Sequence, residues 1–150
     1  MKYRLGDEEF IENTTIKVNG KYIKKPFSDD VFIGSIYIES YEFTNESSGF
    51  ANQKSTLAET YFDKNGYGMY RYIKISSGSL ENLMRGDIFM EDEFSMISMT
   101  IMEKDPLDSS LSGWNSEDGL MISAPAKTRQ DALSISNSLM IDAFIKKPLK

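Results

Sequence analysis

The sequence predicts an α+β fold, a mainly antiparallel β-sheet of about six to seven strands covered by one C-terminal helix. Three observations point there: β-branched and aromatic runs separated by turn residues fill the first 123 positions, helical periodicity is confined to the segment after Thr128, and no strand–helix alternation suggests parallel units. A small β-barrel or sandwich carrying the same helix is the alternative. The 150 residues are expected to form one domain, with residues 1 to 13, which lack a clear period, loosely packed.

A first hairpin is expected from Thr15, Ile16, Lys17 and Val18 and from Lys21, Tyr22, Ile23 and Lys24, flanking Asn19 and Gly20. Asn-Gly suits a type I′ turn, whose two central residues need positive φ. Residues 31 to 44 are the longest β-like run, with Gly34 marking an expected bulge or bend. Residues 45 to 55 are polar and read as loop, and 57 to 62 with 67 to 76 form a second hairpin across Asp63, Lys64, Asn65 and Gly66. Residues 80 to 84 fit one helical turn. Residues 87 to 90 pair with 94 to 102 across Glu91, Asp92 and Glu93, with Phe94, Met96 and Met102 on one face and Ile97, Met99 and Ile101 on the other. A long connection, 103 to 117, holds the only Trp, and 119 to 123 return as a short strand.

Thr128 and Asp131 have the spacing of a capping box and open the helix. Ala132, Ile135, Leu139 and Ala143, joined by Leu133, Met140 and Phe144, form its expected buried face; Ile141 and Ile145 fall outside that stripe, and Pro148 limits its length.

Composition narrows the chemistry. The chain contains no His and no Cys, so no side chain has an unperturbed pKa near 7 and thiol catalysis, thiolate metal sites and disulfides are excluded. Gly-x-Ser-x-Gly, Walker, Ser-x-x-Lys and Gly-x-Gly-x-x-Gly motifs are missing too. The expectation is a protein without enzymatic activity, cofactor or metal. Asp63, Lys64, Asn65 and Gly66 imitate the start of a calcium loop, but Tyr67 and Lys74 occupy positions that need oxygen ligands, so a hairpin turn is the better reading. No run approaches the ~18 apolar residues that a membrane-spanning helix needs. The high serine content and missing thiols fit an exported bacterial domain, reached if an export or anchor segment is removed from ahead of these residues; otherwise the cytoplasm is expected.

Net charge is -6, from 17 basic and 23 acidic residues. Its distribution is uneven: between positions 87 and 118 stand Asp87, Glu91, Asp92, Glu93, Glu103, Asp105, Asp108, Glu117 and Asp118 against Lys104 alone. Such a segment repels nucleic acid and suits a basic protein partner. The expected function is therefore a non-catalytic protein-binding domain, of inhibitor or immunity type, that uses Trp114, Asp105, Asp108, Glu117, Asp118, Glu91, Asp92 and Glu93. An envelope-associated small-ligand or sensory domain, whose ligand lies against Tyr37, Tyr41, Tyr70 and Tyr72, is the second expectation.

Overall fold

A computed structural model describes residues 1–45, 59–76, 78–103, 113–141 and 145–150. Nine strands form one sheet: β1 (Lys2–Arg4), β2 (Asp7–Glu12), β3 (Ile16–Ile23), β4 (Asp30–Ile38), β5 (Thr60–Phe62), β6 (Tyr67–Ser76), β7 (Ser79–Glu91), β8 (Met96–Glu103) and β9 (Leu120–Ala124). One helix, α1 (Arg129–Met140), follows. The α+β class and the antiparallel sheet are as expected, but the strands number nine rather than six to seven.

The sheet order is β2-β1-β9-β8-β7-β6-β5-β4-β3, and every neighbouring pair is antiparallel. Eight successive reversals leave β2 and β3, at opposite edges, with the same sense. Residues 13–15 join them, so β2 and β3 are two halves of one bent strand, the first pairing with β1 and the second with β4. This connection curls the sheet into a half-barrel. On its inner face, residues from strands that are not neighbours touch: the Tyr41 hydroxyl, just beyond β4, donates to Glu103 at the end of β8, and Lys2 Nζ of β1 sits 4.5 Å above the Tyr41 ring and 3.9 Å from Glu103.

Two apolar clusters flank the sheet. Phe32, Ile36, Ile38, Tyr70, Tyr72, Met84, Ile88, Met99, Ile101 and Ile122 belong to the inner one. Tyr3, Leu5, Phe89 and Met121 meet Ala132, Leu133 and Met140 of α1 in the outer one. Residues 1 to 13 supply β1 and β2: Met1, Lys2, Tyr3 and Leu5 are buried, whereas residues 6 to 13 are exposed or half-buried. Their charged residues hid the pattern, because Lys2 and Arg4 alternate with the outer-core residues Tyr3 and Leu5 while facing inward themselves.

Asn19 and Gly20 do not form a turn. β3 runs straight through them, with Asn19 opposite Ser35 and Gly20 opposite Gly34. The glycines are needed for close approach: a Cβ on Gly34 would lie 2.6 Å from Gly20 Cα and 2.7 Å from Phe32 Cζ, because the Phe32 ring packs over both. Gly34 accordingly marks no bulge, since the register stays regular along the whole pair. Residues 80 to 84 belong to β7 instead of a helical turn, held by long pairing with β6. The hairpin across residues 63–66 forms as expected, as does the β7–β8 pairing, although β8 begins at Met96 and Phe94 lies in the turn.

α1 starts at Thr128 in a complete capping box: Thr128 Oγ1 accepts from Asp131 N at 3.1 Å, and Asp131 Oδ2 accepts from Thr128 N at 3.0 Å. Its buried face differs from the expected stripe. Ala132, Leu133, Ser136 and Met140 are buried, while Ile135 and Leu139 are only partly so; Ala143 and Phe144 lie outside the described residues. Ser136 is the reason. Its hydroxyl lies 2.6 Å from Tyr3 Oη and 2.7 Å from both Ser98 Oγ and Ser123 Oγ, a buried hydroxyl cluster between helix and sheet. Ile145 is buried and Ile141 remains 38% exposed. No helix among the described residues is long and apolar enough to cross a membrane.

Candidate binding surface

An antiparallel meander returns alternate connections to the same end, and three meet at one rim of the half-barrel: residues 24–29 between β3 and β4, 63–66 between β5 and β6, and 92–95 between β7 and β8. They surround a depression of about 290 Å³ lined by the carboxylates of Asp30, Asp63, Glu91, Asp92 and Glu93 and the ammonium groups of Lys24 and Lys64, with Tyr22 also in its wall.

Each connection is fixed by local chemistry. Asp63 Oδ1 accepts from Asn65 N at 2.8 Å and Tyr67 N at 2.9 Å, a side-chain-closed turn that Gly66 completes with a φ of +75°. The Gly66 carbonyl accepts from Met90 N at 2.9 Å, tying this turn to β7. Asp30 accepts from Lys25 N at 2.9 Å, Tyr22 Oη at 3.0 Å and Lys64 Nζ at 2.7 Å. The Lys25 amide and then the Lys64 ammonium hold the Asp30 carboxyl down to about 2. Burial, followed by the Asp30 carboxylate, pushes the Tyr22 phenol up and keeps it a neutral donor.

The acidic turn has the least ordinary backbone. Asp92, Glu93 and Phe94 have φ of 44°, 54° and 75°, a left-handed run that side chains other than Gly disfavour. Phe94 explains how it is held. Its ring enters the end of the inner core, with centroids 4.8 Å from Phe32, 5.6 Å from Phe62 and 6.0 Å from Tyr22, all near edge-to-face. With Phe94 drawn inward, Glu91, Asp92 and Glu93 are left exposed on the rim. Glu93 meets Lys24 at 3.0 Å, a solvent-exposed pair of small energetic weight. Beside them, Phe27 on the β3–β4 connection is 99% exposed.

The other anticipated acids are not gathered here. Glu117 and Asp118 follow the far end of β8, roughly 25 Å from the acidic turn at ~3.3 Å per strand residue. There Asn115 Oδ1 accepts from both their amides, at 2.7 and 3.1 Å. Asp87, considered with the acidic turn, faces the outer side of the sheet and accepts from Tyr67 Oη at 3.1 Å and Thr100 Oγ1 at 3.2 Å. Asp105 and Asp108 lie outside the described residues. Trp114 is partly buried against the outer core and its indole lies against Gly119, where a Cβ would come within 2.6 Å of Trp114 Cδ1.

The tyrosines divide as well. Tyr70 and Tyr72 share the inner face as expected, with ring centroids 5.8 Å apart, but both are buried, and their hydroxyls donate to the Thr100 carbonyl at 2.8 Å and to the Ile36 carbonyl. Tyr41 joins that inner cluster, whereas Tyr37 alternates with Ile36 and Ile38 and so lies on the outer face, with Lys17 Nζ 5.6 Å from its ring. β4 ends at Ile38, so Tyr37 and Tyr41 do not share a strand face.

Among the described residues, no group of three or more acids is placed to hold a metal ion. Compared with known protein families, with curated proteins and with solved structures, the chain matches none. The rim residues that sequence reasoning passed over are Phe27, Asp30 and Asp63 as a surface. Phe27 carried a signal, an isolated aromatic after Pro26 in a polar connection. The convergence with Glu91 and Glu93 had none, because it depends on the sheet order.

Proposed function

We propose that the protein is a non-catalytic protein-binding domain that engages a basic partner through this acidic rim, as an inhibitor or immunity-type protein does. The observation that carries the reading is Phe27, 99% exposed on a connection that borders a depression with five carboxylates and two lysines. A solvent-facing aromatic beside a charged recess offers an apolar anchor and a polar contact together, the pairing that concentrates binding energy at interfaces. A partner Lys or Arg enters the recess and replaces Lys24 at Glu93, while an apolar neighbour covers Phe27. Complementary charge of this kind raises the association rate and makes it salt-dependent. The tyrosine-lined ligand face is less favoured, since Tyr70 and Tyr72 fill the inner core.

Affinity capture tests the proposal with the native chain, Phe27→Ser, the double variant Glu91→Lys/Asp92→Lys, and Glu117→Lys/Asp118→Lys at the other end. Phe27, Glu91, Asp92, Glu117 and Asp118 are all exposed, so the fold is expected to tolerate each change within about 0.5 kcal/mol. The expected result is a basic protein retained by the native chain and by the Glu117/Asp118 variant, and lost with either rim variant or at high salt. Retention that survives both rim variants would overturn the reading.

A further inference from the structure

The outer face of the sheet carries a second feature that the acidic rim does not use. α1 covers the part of this face around Phe89, Ser98 and Ser123. Beyond its edge lies a pocket of about 400 Å³ lined by Met69, Arg71, Arg85, Gly86, Asp87 and Met102, with Tyr70 at its wall.

Register determines its chemistry. Arg71 of β6 stands directly opposite Arg85 of β7, and Arg85 stands opposite Met102 of β8; one step along, Met69 faces Asp87. Side chains directly opposite in an antiparallel pair have Cβ atoms about 5 Å apart, and like charges there destabilise the sheet. Neither arginine has an ion pair or hydrogen bond among the described residues. Asp87, also in the lining, makes no ion pair with either of them, and its carboxylate accepts from the Tyr67 and Thr100 hydroxyls. Met69 is 69% exposed and Met102 is partly buried, so polarizable apolar surface flanks the two guanidinium groups. Among the described residues, the pocket thus offers two cationic forks without an ion-pair partner, flanked by apolar surface.

We propose that this pocket binds a small organic anion, its carboxylate or phosphate bridging Arg71 and Arg85 and its apolar body lying on Met69 and Met102. A planar guanidinium presents paired donors that match the oxygens of either head group. One anion between two arginines converts a repulsive cross-strand pair into two attractive ones, which a lone cation at this position would not do. The site is independent of the acidic rim, and the two proposals can fail separately.

Methyl NMR of the full chain labelled at the methionine methyl groups tests it, with octyl phosphate, octanoate, inorganic phosphate and octylammonium as probes below their aggregation concentrations. Octyl phosphate and octanoate are expected to shift the Met69 and Met102 signals saturably, and their relative affinity assigns the head group. Arg71→Gln/Arg85→Gln should weaken both by at least about tenfold, the scale of losing charge-assisted hydrogen bonds. Arg85→Gln alone should raise the Tm of the ligand-free protein by about 1–3 °C at low salt as the like-charge pair disappears. Unmoved methionine signals, equal shifts with octylammonium, inorganic phosphate binding as tightly as octyl phosphate, undiminished binding by the double variant, or an unraised Tm would each overturn the proposal.

Discussion

Asp30 shows how one side chain shapes the rim. Its carboxylate gathers the Lys25 amide, the Tyr22 hydroxyl and the Lys64 ammonium, so two of the three connections are referred to a single group. Holding its carboxyl down to about 2, below the usual 3.8, links it to stability. A depressed folded-state value means the contribution is complete above the unfolded value and is lost as pH falls from about 4 through 2. Asp30→Asn should therefore lower the Tm at neutral pH and flatten its decline between pH 4 and 2, measured by thermal melts across that window. An unchanged acid slope would mean that Asp30 does not organise the rim. The left-handed run at Asp92, Glu93 and Phe94 is the complementary device: aromatic packing of Phe94 offsets an unfavourable backbone and leaves three acids facing solvent.

Among the elements, α1 is anchored by polarity as much as by apolar contact. Ser136 makes short contacts with the hydroxyls of Tyr3, Ser98 and Ser123, joining the helix to β1, β8 and β9. Ser136→Ala removes the central member and leaves buried hydroxyls short of partners, at a cost of about 1–3 kcal/mol. Urea unfolding should show a lower midpoint with an unchanged m-value; an unchanged midpoint would show that the cluster is dispensable. Ser136 also shows the limit of sequence patterning. A serine satisfied by other buried hydroxyls looks, in sequence, like one facing water, so the helix was readable from its capping box while its buried face was centred on the wrong residues. Gly20 and Gly34 teach the same lesson in the sheet. Asn19 and Gly20 have the composition of a turn, and only the partner glycine across the ladder, with the Phe32 ring above both, explains why the strand continues. The hairpin at residues 63–66 and the β7–β8 pairing were legible because their determinants are local.

At the scale of the whole molecule, topology decides which residues become a surface. The bent strand formed by β2 and β3 curls the sheet, and the antiparallel order then brings residues near positions 27, 64 and 92 to one rim. The same order sends Glu117 and Asp118 to the opposite end, so a segment that is acidic along the sequence is divided in space. Net charge and its concentration were visible in the residues; the division was not, because it follows from where β8 begins and ends. An amide NMR titration of the full chain with a short Arg- and Lys-rich peptide carrying one leucine locates the surface that takes a basic partner. Exposed acids also occur near Asp7 and near Glu117, so position discriminates where mere binding would not. The expected result is a set of salt-sensitive shifts concentrated at residues 22–30, 63–66 and 90–94, diminished in Phe27→Ser. Shifts confined to residues 114–118 or 7–9, or spread evenly over every acidic position, would contradict it.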